Sequence, residues 1–447
     1  MPCCTLYPLP YRADPGAYFK AIHLAPGAVL LDSGRPIATR GRFDLFSAWP
    51  LETLAPKVGE TGSAYLARVR RSLKSLAPAD TPHGCASPFT GGVLGYLGYE
   101  FGRRLERITT HATDDLGFCD ASFGLYDWAF VTDHQTQHSY VVFHPSVAPQ
   151  RQHWIIQQLE PYQATPPFKL KSPFQADINI DTYQAAIRSV QQYIAAGDCY
   201  QVNYTQRFSA AFEGDAWSAY TLLRDACPTP FAGFLRHDKQ ALLSLSPERF
   251  IKVSNNDVET RPIKGTRPRG KDVASDQKLA NELKQSAKDR AENLMIVDLL
   301  RNDLGRICKI GSVRVPELFS LESYPNVHHL VSSVTGTLAD QTDALDVLAA
   351  SFPGGSITGA PKIRAMEIID ELEPTRRGPY CGSLVYIDTR GNMDSSIMIR
   401  TLLAQDKKLY CWGGGGIVAD SNWQAEYQES LDKVSVLLGT LEHTLPK

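Results

Sequence analysis

Strand-like and helix-like segments follow one another along this chain in mixed order, without the regular strand–helix–strand beat of a doubly wound parallel sheet. Short apolar runs between turn residues read as strands at 91–102 (GGVLGYLGYEFG) and 123–133 (FGLYDWAFVTD). In CYQVNYTQRF, Tyr200, Val202 and Tyr204 alternate with Gln201, Asn203 and Thr205, a two-residue period. Further strands are predicted around 241–246, 250–253 and 383–388. Tyr183, Ile187, Val190 and Ile194 recur at helical spacing, opened by an N-cap signature of Asp181 and Gln184 and stopped at Gly197. Helices are also predicted over 276–300, 361–372 and 423–441. This order favours an α+β fold. Four prolines within 161–175 (PYQATPPFKLKSPFQ) break both periods. Residues 161–177 therefore read as a linker between an N-terminal domain, 1–160, and a C-terminal domain, 178–447.

Of 447 residues, 43% are hydrophobic and 21% charged, which supplies a large core. The formal charge of −2 lacks the basic excess of a general nucleic-acid binder. No run reaches the roughly 18 apolar residues of a membrane span. Residues 1–16 show no charged stretch followed by an apolar one, so no signal peptide is predicted. The nine cysteines are scattered, with no C-x-x-C pair. That disfavours a zinc site and predicts reduced thiols in a cytoplasm.

Lys264 lies in RPIKGTRPRG, fenced by Pro262 and Gly265 and surrounded by Arg261, Arg267 and Arg269. It is either one more solvated charge or an amine kept short of its proton. A free lysine titrates at about 10.4, and the arginines would lower that if they stay close. Glu248 in SLSPERF follows an apolar strand, as a general acid or a strand-end charge. Glu292 shares a helical face with Met295, Ile296 and Leu299, in a stretch apolar nearly all round. That predicts burial, and a buried glutamate needs a cation or a metal. On the last helix, opened by a capping box of Ser421 and Gln424, Glu426, Glu429 and Lys433 line one face. Spacing alone favours a solvated salt-bridge ladder; carboxylates from two helices would also suit Mg²⁺. Gly413 to Gly416 form either an anion nest or a bulge. In FPGGSITGAPK, with Pro361 near the first helical position, Ser356 and Thr358 are placed to cap the helix or hold a carboxylate. His328 and His329 alternate on a predicted strand, one to each face. Neither G-x-x-x-x-G-K-[ST] nor a strand-to-helix G-x-G-x-x-G occurs.

SPERF, PIKGT, KDRAENLMIVDLLRND, VHHLVSS, FPGGSITGAPK, IRT, GGGGIVADS and AEYQES occur in that order over 246–430. With LLDSG, RFD, GGVLGYLGYE and GLYDWA upstream, nearly the whole chain resembles the chorismate-utilising enzymes, the family of anthranilate synthase component I and the isochorismate and salicylate synthases. The resemblance implies an α+β fold of large antiparallel sheets stacked as a sandwich, with helices outside. PIKGT replaces the PIAGT of anthranilate synthases and resembles the members that aminate chorismate at C4. It implies that Lys264 is a nucleophile on ring C2 and that Glu248 protonates the departing hydroxyl. Ammonia then enters at C4 to give 4-amino-4-deoxychorismate, towards 4-aminobenzoate and folate, which is an amino-group transfer. By the same matching, Glu292 and Glu429, with Glu426 close by, are Mg²⁺ ligands. Gly414, Gly415 and Gly416 supply N–H donors beside the ring carboxylate. Gln201, Thr266, His329, Thr358, Tyr386, Arg400 and Lys433 line the substrate; Gln201 stands where the isochorismate and salicylate synthases place a lysine base. A tryptophan site is implied at Ser33, Arg40, Gly41, Arg42, Phe43, Pro230, Phe231 and Ala232. No G-x-C-x-G segment could serve a glutaminase, so a separate glutamine amidotransferase subunit is implied. The rivals are anthranilate formation, opposed by PIKGT; a nucleic-acid module on RPIKGTRPRGK, which lacks interleaved aromatics; and a pyridoxal-phosphate enzyme on Lys264, for which no phosphate cup is evident.

Overall fold

The computed structural model describes residues 1–37, 41–160, 165–237, 239–323 and 327–446. Two large sheets, of thirteen and ten strands among those residues, carry the fold. Their neighbouring strands pair antiparallel. In the first sheet, Thr5–Leu9, His138–Phe143, Trp128–Asp133, Phe43–Ser47 and Val29–Asp32 lead on to Phe231–His237, Gln240–Ser246, Thr401–Gln405, Lys408–Ile417 and Gln201–Glu213. In the second, Ile263–Pro268, Val327–Thr337, Asp257–Thr260, Arg249–Ser254, Met393–Ile397 and Ser383–Asp388 lead on to Gly92–Leu97, Ala121–Tyr126 and Glu52–Leu54. Each sheet thus joins strands from both sides of 161–177. Residues 161–164 of that stretch lie outside the described residues. Within its remainder, Lys169–Leu170 and Gln175–Ala176 pair with Gln201–Glu213 and stitch it to the first sheet.

The first sheet is buried on both faces. Val29, Leu45, Val131, Leu242, Leu403 and Trp412 belong to the core shared with the second sheet. Their neighbours Leu30, Phe46, Phe130, Leu243, Leu402 and Cys411 belong to a separate core. Helices Pro149–Gln158, Ala216–Ala226 and Trp423–Glu442 close that second core from outside. The result is the expected sandwich of antiparallel sheets with helices outside.

Local chemistry moved several helix boundaries. Ile180–Ala196 is capped by Asn179, whose side chain accepts from the Thr182 N–H at 2.8 Å, rather than by Asp181. It ends at Gly197, as expected, with φ at 85°, where a Cβ would be penalised. The helix expected over 276–300 is two, Val273–Gln285 and Ala287–Gly305. The break falls at Ser286, whose hydroxyl accepts from the Asp289 N–H at 3.2 Å and so caps the second helix. That second helix is buried along one face and not all round: Asn293, Ile296, Val297 and Leu300 are buried, whereas Leu294 is exposed. Pro361 is the N-cap residue of Lys362–Leu372. Asn422, not Ser421, caps Trp423–Glu442. Among the described residues no helix is long and apolar enough to cross a membrane. The nine cysteines are free thiols.

Ser286→Ala removes one side-chain cap and leaves the packing intact. It is expected to cost about 1 kcal/mol, read as a lower thermal midpoint with unchanged far-UV dichroism at 20 °C or so.

Candidate active site

Lys264 sits on Ile263–Pro268, which pairs with Val327–Thr337 so that Thr266 lies opposite His329. The register shifts between Ile263 and Thr266, an irregularity of the kind that re-aims a side chain. Gly265 makes the bend with φ at +82°, and a Cβ there would come within 2.8 Å of Leu283 Cδ1 and 2.9 Å of Asp289 Cγ. Lys264 Nζ then donates to the Ser356 carbonyl at 3.2 Å. The Ser356 hydroxyl donates to Glu248 Oε1 at 3.3 Å. One residue of the turn Gly355–Ile357 therefore bridges the amine and the acid.

Burial shifts both bridged groups towards their uncharged forms. Burial pushes the Glu248 carboxyl up to about 7, against the opposing pull of Lys264 and of the Ser356 hydrogen bond. Burial likewise pushes the Lys264 amine below the ordinary lysine range, against the pull of Glu248 and Glu292. An enclosed low-dielectric space disfavours either charge. Both shifts narrow the energy gap between the ion pair and a neutral amine beside a protonated acid.

The arginines around Lys264 do not cause this. Each is taken by carboxylates: Arg261 by Glu322 and Glu317 at 2.7 and 2.8 Å, Arg267 by Asp289 at 3.0 Å, and Arg269 by Asp276 at 2.7 Å. Desolvation, which no run of residue letters displays, replaces them as the cause.

The three glutamates come from two helices, Ala287–Gly305 and Trp423–Glu442. Glu292 is half-buried; burial raises its carboxyl, with Lys264 and Lys288 opposing. Lys288 Nζ lies 3.9 Å from Glu292 Oε1 and 4.0 Å from Glu426 Oε1. Glu426 is buried, raised by that burial and opposed by the Ser421 hydroxyl, which donates to it at 2.7 Å. Half-exposed Glu429 pairs with Lys433 at 2.7 Å, which more than offsets burial and holds its carboxyl low. The expected Glu429–Lys433 ladder rung therefore forms, but Glu426 is not on a solvated face.

Among the described residues no three acidic, histidine or cysteine side chains are gathered as a ready metal cage. The donor set still fits Mg²⁺, being all hard carboxylate oxygen. The Lys288 ammonium stands within reach of both Glu292 and Glu426, where a cation's charge is wanted. A Cβ on Gly415 would lie 3.3 Å from Glu426 Oε2 and 3.4 Å from Glu429 Oε1, so its absence leaves open space beside both.

The glycine run is neither nest nor bulge. Gly414, Gly415 and Gly416 lie in regular register opposite Thr205, Tyr204 and Asn203. They are glycines because the backbone is crowded: a Cβ would come within 2.3 Å of Ser430 O at Gly413, 2.2 Å of Tyr204 O at Gly414 and 2.5 Å of Gln201 Nε2 at Gly416. Gln201 is fully buried, and both its amide atoms lack a hydrogen-bond partner. Such a group calls for a partner, either an ordered water or a bound molecule.

The remaining candidates divide between two places. His329 is buried with Nδ1 2.9 Å from Thr266 Oγ1; burial, then Arg400, push its imidazole down to about 4. Arg400 holds φ at 50° and donates to Cys227 Sγ at 3.8 Å. His328 faces the opposite way, to Ser323 and Asp276, as alternation required. Thr358 is buried with its hydroxyl committed to the Gly354 carbonyl at 3.0 Å. Tyr386, expected at the substrate edge, instead lines a separate cavity of about 780 Å³ between the sheets, together with Leu384 two residues away. Ser33, Gly41, Arg42, Phe43, Pro230, Phe231 and Ala232 line that same cavity; Arg40 lies outside the described residues. Ile263 faces this cavity and Lys264 does not, so one strand separates the two places. Asn203 and Lys288 were not singled out from sequence. The signal for Asn203 was its place two residues after Gln201 on the polar face of an alternating strand.

A model of the chorismate binding enzyme family matches residues 32–439. The chain is 48% identical to aminodeoxychorismate synthase component 1 of Salmonella typhimurium, over 98% of each chain. It is 39% identical to anthranilate synthase component 1 of Thermus thermophilus, over 95% of this chain and 94% of that one. The crystal structure of anthranilate synthase component I from Streptococcus pneumoniae superposes with a TM-score of 0.77 at 29% identity, covering 90% of this chain and 93% of that one.

His329 is expected to remain neutral through the physiological range and to gain its proton only near pH 4, followed by imidazole NMR shifts. A midpoint near the ordinary 6.5 or so contradicts the enclosure of this histidine.

Proposed function

This chain belongs to the chorismate binding enzyme family, and on that premise we propose that it acts as component 1 of an aminodeoxychorismate synthase, turning chorismate and ammonia into 4-amino-4-deoxychorismate. The observation that carries this reading is the Lys264–Ser356–Glu248 bridge, which holds an amine of lowered basicity next to an acid that keeps its proton up to about 7. The PIAGT pattern of anthranilate synthases has no side-chain nucleophile at this point.

One proton serves both partners. Its transfer from Lys264 to Glu248 leaves a neutral amine and a protonated acid together. The amine attacks ring C2, the two ring double bonds shift, and the C4–O bond breaks as Glu248 donates its proton, so the hydroxyl leaves as water. The alkylated Lys264 returns a proton to Glu248. Ammonia then attacks C4, the double bonds shift back, and the C2–N bond breaks, with Glu248 restoring the proton to Lys264. Two allylic displacements replace one hard substitution. Arg400 and Lys433 offset the substrate's carboxylates, and Gln201 offers its unpartnered amide to the incoming amine. Glu292, Glu426 and Glu429 would hold Mg²⁺, which when bound neutralises a substrate carboxylate and draws electron density from the ring. Ammonia comes from a separate glutamine amidotransferase subunit in the cytoplasm. Tryptophan is the proposed occupant of the cavity lined by Ser33, Phe43 and Phe231.

Purified protein with chorismate and ammonium salt is expected to form 4-amino-4-deoxychorismate by chromatography, with Mg²⁺ required and EDTA abolishing turnover. Anthranilate as the product, or no product, overturns the reading. Without ammonia, intact-mass measurement is expected to find chorismate less water on Lys264. Lys264→Ala should lose that adduct and at least ~10²-fold in kcat. At constant free ammonia, kcat/KM should rise as pH rises through about 7, where the doubly protonated pair gives up one proton and keeps the one it shares, and fall only at higher pH where that second proton is lost. Glu248→Gln should remove the rise at about 7 along with roughly 10²-fold or more of the rate.

A further inference from the structure

Behind the Lys264–Glu248 bridge, just past the Lys362–Leu372 helix, lies a second pair of opposite charges that the reaction does not use. Arg377 is 1% exposed and Glu373 5%. Arg377 Nε donates to Glu373 Oε2 at 2.9 Å and Nη2 to Glu373 Oε1 at 2.7 Å. Burying such a pair gains little net stability, because desolvation consumes the attraction. The other bonds of the pair are therefore informative.

Arg377 Nη1 donates to the Ile357 carbonyl at 3.0 Å and Nη2 to the Asn203 carbonyl at 2.7 Å. Glu373 Oε1 accepts from the Thr205 N–H and from its hydroxyl, both at 2.9 Å. The pair thus clamps strand Gln201–Glu213 and the turn that carries Ser356 to each other. Asn203 completes the clamp. Its Nδ2 donates to the Ser356 carbonyl at 3.2 Å and its N–H to the Thr358 carbonyl at 2.8 Å. Three successive carbonyls, of Ser356, Ile357 and Thr358, are each held by this cluster. The turn's own backbone bonds are long, 3.3 and 3.4 Å, and would not fix its peptide planes alone.

We propose that Glu373 and Arg377 are positioning residues for catalysis, holding the 356–358 backbone so that the Ser356 carbonyl and hydroxyl stay aimed at Lys264 and Glu248. The catalytic consequence rests on the reaction proposed above; the geometric one does not. A rotated Ser356 peptide would take away the acceptor that holds Lys264 Nζ and admit water beside it.

Arg377→Lys keeps the charge but replaces a planar five-donor fork with one ammonium, which cannot serve Glu373, Ile357 and Asn203 together. Glu373→Gln retains an acceptor for Thr205 while loosening Arg377, and stands in if the first variant fails to fold. Two measurements test the proposal on folded protein. The first needs no chorismate: acetic anhydride labelling of Lys264 against pH, read by peptide mass spectrometry. Its midpoint is expected to rise in both variants towards that of an ordinary lysine. The second is steady-state turnover, where kcat per folded molecule should fall by about tenfold or more with KM for chorismate nearly unchanged. An unmoved labelling midpoint overturns the proposal whatever the rate does. So does an unchanged kcat in a parent enzyme that turns chorismate over. If the parent does not use chorismate but the midpoint still rises, the positioning stands and the reaction falls.

Discussion

A lysine amine and a glutamic acid are enclosed together under the carbonyl and the hydroxyl of Ser356, and neither charge is well solvated there. Water would restore both charges, with the amine protonated and the acid ionised. Burial weakens that preference on both sides and so lowers the cost of sharing one proton. The surrounding structure keeps the two groups facing Ser356. The Gly265 bend, the register shift beside it and the turn Gly355–Ile357 each contribute a part of that aim.

The sandwich supplies the frame. Because the first sheet is buried on both faces, the strand Gln201–Glu213 cannot shift register without moving two cores at once. It therefore presents Gln201, Asn203 and Thr205 from a fixed backbone. The strand Ile263–Pro268 divides two sites: Ile263 lines the cavity between the sheets, and Lys264 faces the glutamates. Alternation also explains why Tyr386 joins Leu384 in that cavity and not the lysine.

What could be read in advance, and what could not, follows a physical division. Periodicity is local, so Ile180–Ala196, Gln201–Glu213 and the last helix were visible, and His328 and His329 fell on opposite faces as their spacing required. Caps are local too, but they compete: Asn179 and Asn422 took the roles that Asp181 and Ser421 offered. The break at Ser286 was hidden because a serine within a helical pattern fits either a continuous helix or a cap. Four glycines in a row signal that something comes close. Whether it is an anion or a neighbouring backbone depends on how the Trp423–Glu442 helix folds back and on the paired strand Gln201–Glu213, far away in the sequence.

By itself, the sequence determined the α+β class, the residue types available for chemistry and, through ordered motifs such as PIKGT and SPERF, the family. Each of these depends on neighbours along the chain or on the order of short segments. Tertiary structure alone decided which way the charged groups shift. Three arginines beside Lys264 suggested electrostatic repulsion as the reason for a weakened base, yet Glu322, Glu317, Asp289 and Asp276 neutralise them, and burial lowers the amine instead. Desolvation is a property of everything that surrounds an atom in three dimensions, and for this lysine those surroundings come from segments as far along the chain as Glu248, Ser356 and Lys433.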